Sequence, residues 1–120
     1  MQISLGMKEN IILNKCIGFS VGIKNYCKAL YFKKEFAIAN QLLRCGMAIG
    51  ANISEAQQAE SRSDFIHKMK IASKEASETF YWLSICEKTD SPGFQHELIN
   101  ELNQIIAILS KIIISAKKNI

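Results

Sequence analysis

Ile12, Cys16, Phe19, Ile23, Tyr26 and Leu30 follow one another at spacings of four, three, four, three and four. On an α-helix that alternation puts all of them on one stripe, the seam along which helices pack lengthwise. The alternation returns in Phe65, Met69, Ala72, Ala76, Thr79, Leu83 and Cys86, and again in Leu98, Leu102, Ile105, Leu109, Ile112 and Ala116. A fourth stretch carries a continuous face of Ala39, Leu42, Leu43, Gly46, Ile49, Gly50, Ile53 and Ala56. Nowhere does the chain show the sustained apolar–polar alternation of a strand bounded by turn residues. The fold class is therefore all-α, an antiparallel up-down-up-down four-helix bundle. Helices are predicted over 11–32, 35–58, 62–88 and 95–117. One proline in 120 residues leaves little to interrupt them.

A chain of this length makes one domain, 1–120, with residues 1–8 expected as a flexible tail. The first corner, Phe32-Lys33-Lys34-Glu35, has neither glycine nor proline, and only its charge and a lost register mark it. The second holds Ser61-x-x-Asp64, a capping box with Asp in place of Glu, and Ser63 competes for the cap. The third, Thr89-Asp90-Ser91-Pro92-Gly93, is the strongest break in the chain.

Several polar residues sit awkwardly on these apolar faces: Asn52, Glu55, Glu75 and Glu78. Asp64 joins them as the residue that suits the positive end of the third helix. One stripe of that helix reads Ile71, Glu75, Glu78, Trp82, Ile85. Two carboxylates among large apolar side chains need named partners. Asn52 and Glu55 are expected to meet Glu75 or Glu78, with Arg44 as counter-charge. Gly46 and Gly50 leave the second helix without bulk, so Trp82, Tyr81 or Phe80 is expected to cover them. Gly18 and Gly22 either admit a neighbouring helix or are simply tolerated. Leu13 and Ile17 widen the first seam. The last helix carries Ile99, Ile106, Ile108, Ile113 and Ile114 beside its seam, more than one side of a bundle buries. That surplus points to self-association. No run of about 18 apolar residues occurs, so no membrane partner is expected.

Chemistry is hard to place. Cys16, Cys27, Cys45 and Cys86 form no Cys-x-x-Cys pair, and each lies on or beside an apolar stripe. They read as small buried hydrophobes in a reducing, cytoplasmic protein. Asp64-x-x-His67 is a lone fragment of the paired motif of di-metal bundles, so no metal or cofactor is expected. No nucleophile elbow or phosphate loop is present, so the chain reads as a non-enzyme. The net charge of +4 permits nucleic acid. The candidate contacts are Lys15, Lys24 and Lys28 on the first helix and Arg62, Lys68, Lys70 and Lys74 on the third. Against this stands a solvated surface with pairs such as Lys74 and Glu78 four residues apart.

The run 48–56 (AIGANISEA), then Ser63-Asp64-Phe65, Ile71-Ala72 and Glu75-x-x-Glu78-Thr79-x-Tyr81-Trp82-Leu83, resembles a known family. These are the four-helix-bundle proteins named for open reading frames in 23S ribosomal RNA intervening sequences. Gln41-Leu42-Leu43-Arg44 fits the same pattern, and Ala56 stands where the family often has glycine. The resemblance covers about residues 35–83 well and the outer helices in pattern. It implies a cytoplasmic bacterial bundle that assembles as a ring-like homopentamer, with no catalytic residues to carry over. The family includes the accessory protein of diversity-generating retroelements, a basic pentamer that binds nucleic acid and a reverse transcriptase. The implied partners are copies of this chain and RNA or a nucleic-acid-processing protein.

Overall fold

The computed structural model describes residues 7–118, with side chains from 11–118. Four helices run in order: α1 (Met7–Phe32), α2 (Phe36–Ala56), α3 (Arg62–Lys88) and α4 (Glu97–Lys118). No strand occurs among the described residues. Each helix packs on its chain neighbours and α4 closes back on α1, which leaves α1 diagonal to α3 and α2 diagonal to α4. The result is the expected up-down-up-down bundle, 47 × 20 × 19 Å in extent. Helix α1 starts before the predicted residue 11. Of the tail expected over 1–8, residues 1–6 lie outside the described residues.

The seams define the core. Ile12, Phe19, Ile23, Leu30, Leu42, Ile49, Ile53, Met69, Leu83, Leu102, Ile105 and Leu109 are all fully buried. Thr79 is the one buried polar residue on the third seam, and its hydroxyl donates to the Glu75 carbonyl at 2.7 Å.

Two expectations about the flanks need correction. Ile17 does not widen the first face inward; it is 63% exposed, while Leu13 is half-buried. On α4, Ile99, Ile106, Ile108 and Ile113 tuck against the core, and only Ile114 of that flank stands out. A helix packed on both α1 and α3 buries two flanks, so most of the isoleucine surplus is absorbed within the bundle. By length and composition alone α4 could cross a membrane, but its whole seam is buried here.

The glycines also differ from expectation. Gly46 and Gly50 face α1, not the aromatic residues of α3. A Cβ at Gly46 would lie 3.1 Å from Ile23, and one at Gly50 would lie 2.9 Å from the Cβ of Cys16. Phe80 and Tyr81 remain exposed. A Cβ at Gly22 would lie 2.9 Å from Leu98 of α4, so Gly22 admits that side chain, whereas a Cβ at Gly18 would meet nothing within 4 Å and Gly18 is simply tolerated.

The corners explain the helix ends. At the first, Lys34 adopts φ 64°. The Glu35 N–H donates to the Leu30 carbonyl and the Lys34 N–H to the Tyr31 carbonyl, both at 2.9 Å. This is the Schellman pattern of hydrogen bonds, built on lysine where glycine is usual. Asp90 repeats the left-handed turn with φ 49°, and the Ser91 N–H donates to the Cys86 carbonyl at 3.1 Å. At the second corner the Ser61 hydroxyl accepts from the Asp64 N–H at 3.0 Å, and the Asp64 carboxylate accepts from the Glu60 N–H at 3.1 Å. The cap is therefore Ser61, not Ser63. Buried Ala59 pins the loop before it.

Candidate functional site

The α2–α3 boundary carries a polar seam. Arg44 on α2 reaches across to two carboxylates of α3, Glu75 at 3.5 Å and Glu78 in direct contact. Glu78 also accepts from the Trp82 indole N–H at 3.1 Å. These two donors, the indole first and the guanidinium next, hold the Glu78 carboxyl below its ordinary value. Arg44 is steadied from its own helix by Gln41 at 3.3 Å. The awkward α3 stripe is thus satisfied by one arginine and one indole.

Asn52 and Glu55 do not join this group, contrary to expectation. The Asn52 amide donates to the Ala48 carbonyl of its own helix at 2.8 Å. Glu55 pairs instead with Lys68 at 2.8 Å. Antiparallel register is the reason: moving up α2 from Arg44 to Glu55 moves the partner back down α3 from Glu78 to Lys68. Both links run along one edge and fix that register. They are partly exposed pairs, so their role is alignment more than stability.

The predicted basic face divides. Lys15 donates to Gln104 of α4 at 2.9 Å, and Lys68 is engaged by Glu55. Lys24 and Lys28 are exposed on α1, which is diagonal to α3. The lysines of α1 and of α3 therefore lie on helices that share no contact among the described residues of one chain. Arg62 opens α3 and is half-buried, while Lys70 and Lys74 are exposed. The expected Lys74–Glu78 pair is absent among the described residues, because Arg44 and Trp82 hold Glu78.

Sequence reasoning missed the contribution of α4. Lys70 sits beside Lys117, and that neighbouring positive charge lowers the Lys70 pKa. The two line a shallow cleft of about 320 Å³ with Ser63, Ile66 and His67. Lys111, Lys117 and Lys118 all lie on α4. The available signal was the absence of any acid after Glu101. Residues 62–74 and 102–118 together hold seven basic side chains and one acid, Asp64, which is occupied in the cap. Residues 75–101 hold six acids and one lysine. In an antiparallel hairpin those sequence halves become opposite ends, one basic and one acidic.

The four cysteines are free and buried. Burial pushes the Cys16 thiol up to about 12 and the Cys27 thiol up to about 11, so neither is a thiolate at neutral pH. His96 pairs with Glu87 at 2.9 Å, far along the chain from His67. No three metal-ligating side chains gather among the described residues.

The fold is that of a small antiparallel four-helix-bundle protein. Within that class, the chain belongs to the 23S rRNA-intervening sequence protein family, which matches residues 8–115 and so all four helices. It is also similar to a solved structure from Bacteroides thetaiotaomicron, a protein with unknown function from the S23 ribosomal protein family. The two share 42% identity over 89% of this chain and 98% of that chain, with a TM-score of 0.84. No curated protein matches the sequence.

Proposed function

We propose that this protein is a non-enzymatic scaffold that assembles with copies of itself, as a homopentamer, and holds a nucleic acid or ribonucleoprotein. The observation that carries the reading is the charge split of the α3–α4 hairpin. Seven basic residues gather toward one end and the acids toward the other. Such a patch attracts phosphate backbone without needing a high net charge, and symmetry multiplies it around a ring. Four free, buried thiols fit a reducing, cytoplasmic setting.

Self-assembly is supported by a groove between α1 and α2 rather than by the α4 isoleucines. Leu13, Ile17, Val21 and Met47 line it, and Ile17 and Val21 are more than half exposed. Contiguous exposed aliphatic surface of this kind marks a protein contact. A second copy is the occupant we assign to it.

Light scattering and a binding titration test the two halves separately. A mass of five times the 13.5 kDa chain is expected, and Val21→Glu should lower it. Binding of a labelled single-stranded RNA should weaken steeply with salt, because each neutralised phosphate releases counterions. A monomer would overturn the assembly. An oligomer that binds no nucleic acid at low salt would leave a purely structural protein–protein scaffold.

A further inference from the structure

We infer that the cleft between the start of α3 and the end of α4 is a discrete seat for a phosphate group, built from Ser63, His67, Lys70 and Lys117. This rests on the nucleic-acid reading for the source of the phosphate. The geometry makes it specific. Lys70 and Lys117 come from different helices and converge on one cleft. Like charges brought together raise the electrostatic energy of the empty cleft, and an anion between them relieves it. No acid lines the cleft. The nearest acid in sequence, Asp64, faces the Glu60 N–H in the helix cap, and the nearby Lys68 is turned to Glu55. Neither carboxylate, Asp64 or Glu55, lines the cleft to neutralise the pair.

The donors suit phosphate. Two ammonium groups supply charge, the Ser63 hydroxyl and His67 ring supply directed hydrogen bonds, and Ile66 forms an apolar floor. Ile66 is only 7% exposed, so the floor is fixed by the core. The cleft is shallow and open, which lets a phosphate embedded in a longer chain pass through it. The remaining lysines of this end, Lys74, Lys111 and Lys118, offer further backbone contacts of ordinary surface type.

The test is an NMR titration of the His67 side chain in the full-length protein, with inorganic phosphate and with oligouridylate as separate probes. Wild type is compared with the K70Q/K117Q variant, and circular dichroism checks that the variant keeps its fold. Both exposed lysines can become glutamine without loss of packing. We expect oligouridylate to shift the His67 resonances in wild type. In the variant the affinity should fall on the order of tenfold, and the salt slope should fall by about 1.4 for two lost contacts to a single strand. Equal RNA binding by wild type and variant, with no His67 shift, would overturn the seat while leaving the nucleic-acid reading standing. A His67 shift with inorganic phosphate alone would support the seat and overturn its nucleic-acid source. No response to either probe would overturn both.

Discussion

Arg44 on α2 closes on Glu78 of α3 across 34 positions of sequence, and the Trp82 indole holds the same carboxylate from the next turn. Glu78 is thereby fixed as an anion between two donors on adjacent helices. Because its folded pKa is depressed, its contribution to stability is fully present above the ordinary value of 4.5. That contribution is lost as pH falls through the lowered folded value. Glu78→Gln should therefore lower the melting temperature at pH 7 and flatten its decline below pH 4.5. Thermal scans from pH 3 to 7 check this. Parallel curves for wild type and variant would mean that the carboxylate is merely solvated.

The corner at Lys34 yields a second prediction. A side chain at φ 64° carries a steric cost of about 1–2 kcal/mol that glycine avoids. Lys34→Gly keeps both Schellman hydrogen bonds and should stabilise the protein by roughly 1 kcal/mol, less the added freedom of the unfolded chain. A shift of the urea midpoint to higher concentration is the expected result.

Two glycines on neighbouring helices should respond in opposite directions. Gly50→Ala sets a Cβ 2.9 Å from the Cys16 Cβ, which is tied to its backbone and cannot swing aside. Overpacking of this kind costs about 1–3 kcal/mol, and it should exceed the helix-propensity gain of about 1 kcal/mol. Gly18→Ala meets open space and should keep that gain. Matched urea unfolding curves separate the two. Equal effects would contradict the close approach of α1 and α2.

The thiols offer a fourth check. Cys16 and Cys27 are buried, with pKa values pushed up to about 12 and about 11. A thiol reagent at pH 8 should label neither until the bundle unfolds. Fast labelling of Cys16 in the native protein would show that the α1–α2 packing opens.

The seams of α1, α3 and α4 were legible because three-and-four spacing has one helical meaning, and their residues are the buried ones. Ser61 and Asp64 were legible as a cap for a similar reason, since the motif is local. Lys34 was not, because a left-handed turn on lysine has no composition signal. The partners of Asn52 and Glu55 were missed because they depend on the register of α2 against α3. So did the role of Gly46 and Gly50, whose neighbours Ile23 and Cys16 lie on another helix. The basic cleft fell between these cases. Lys70 could be named from α3, but only the antiparallel packing of α4 brings Lys117 beside it.

The most direct test of the central claim compares charge reversals at the two lysine-bearing regions in one RNA anisotropy titration at fixed low salt. Lys74→Glu with Lys111→Glu alters the basic end of the α3–α4 hairpin, and Lys24→Glu with Lys28→Glu alters α1. The charge split predicts that the first pair weakens binding far more than the second does. Equal losses from both pairs, or the larger loss from α1, would contradict it.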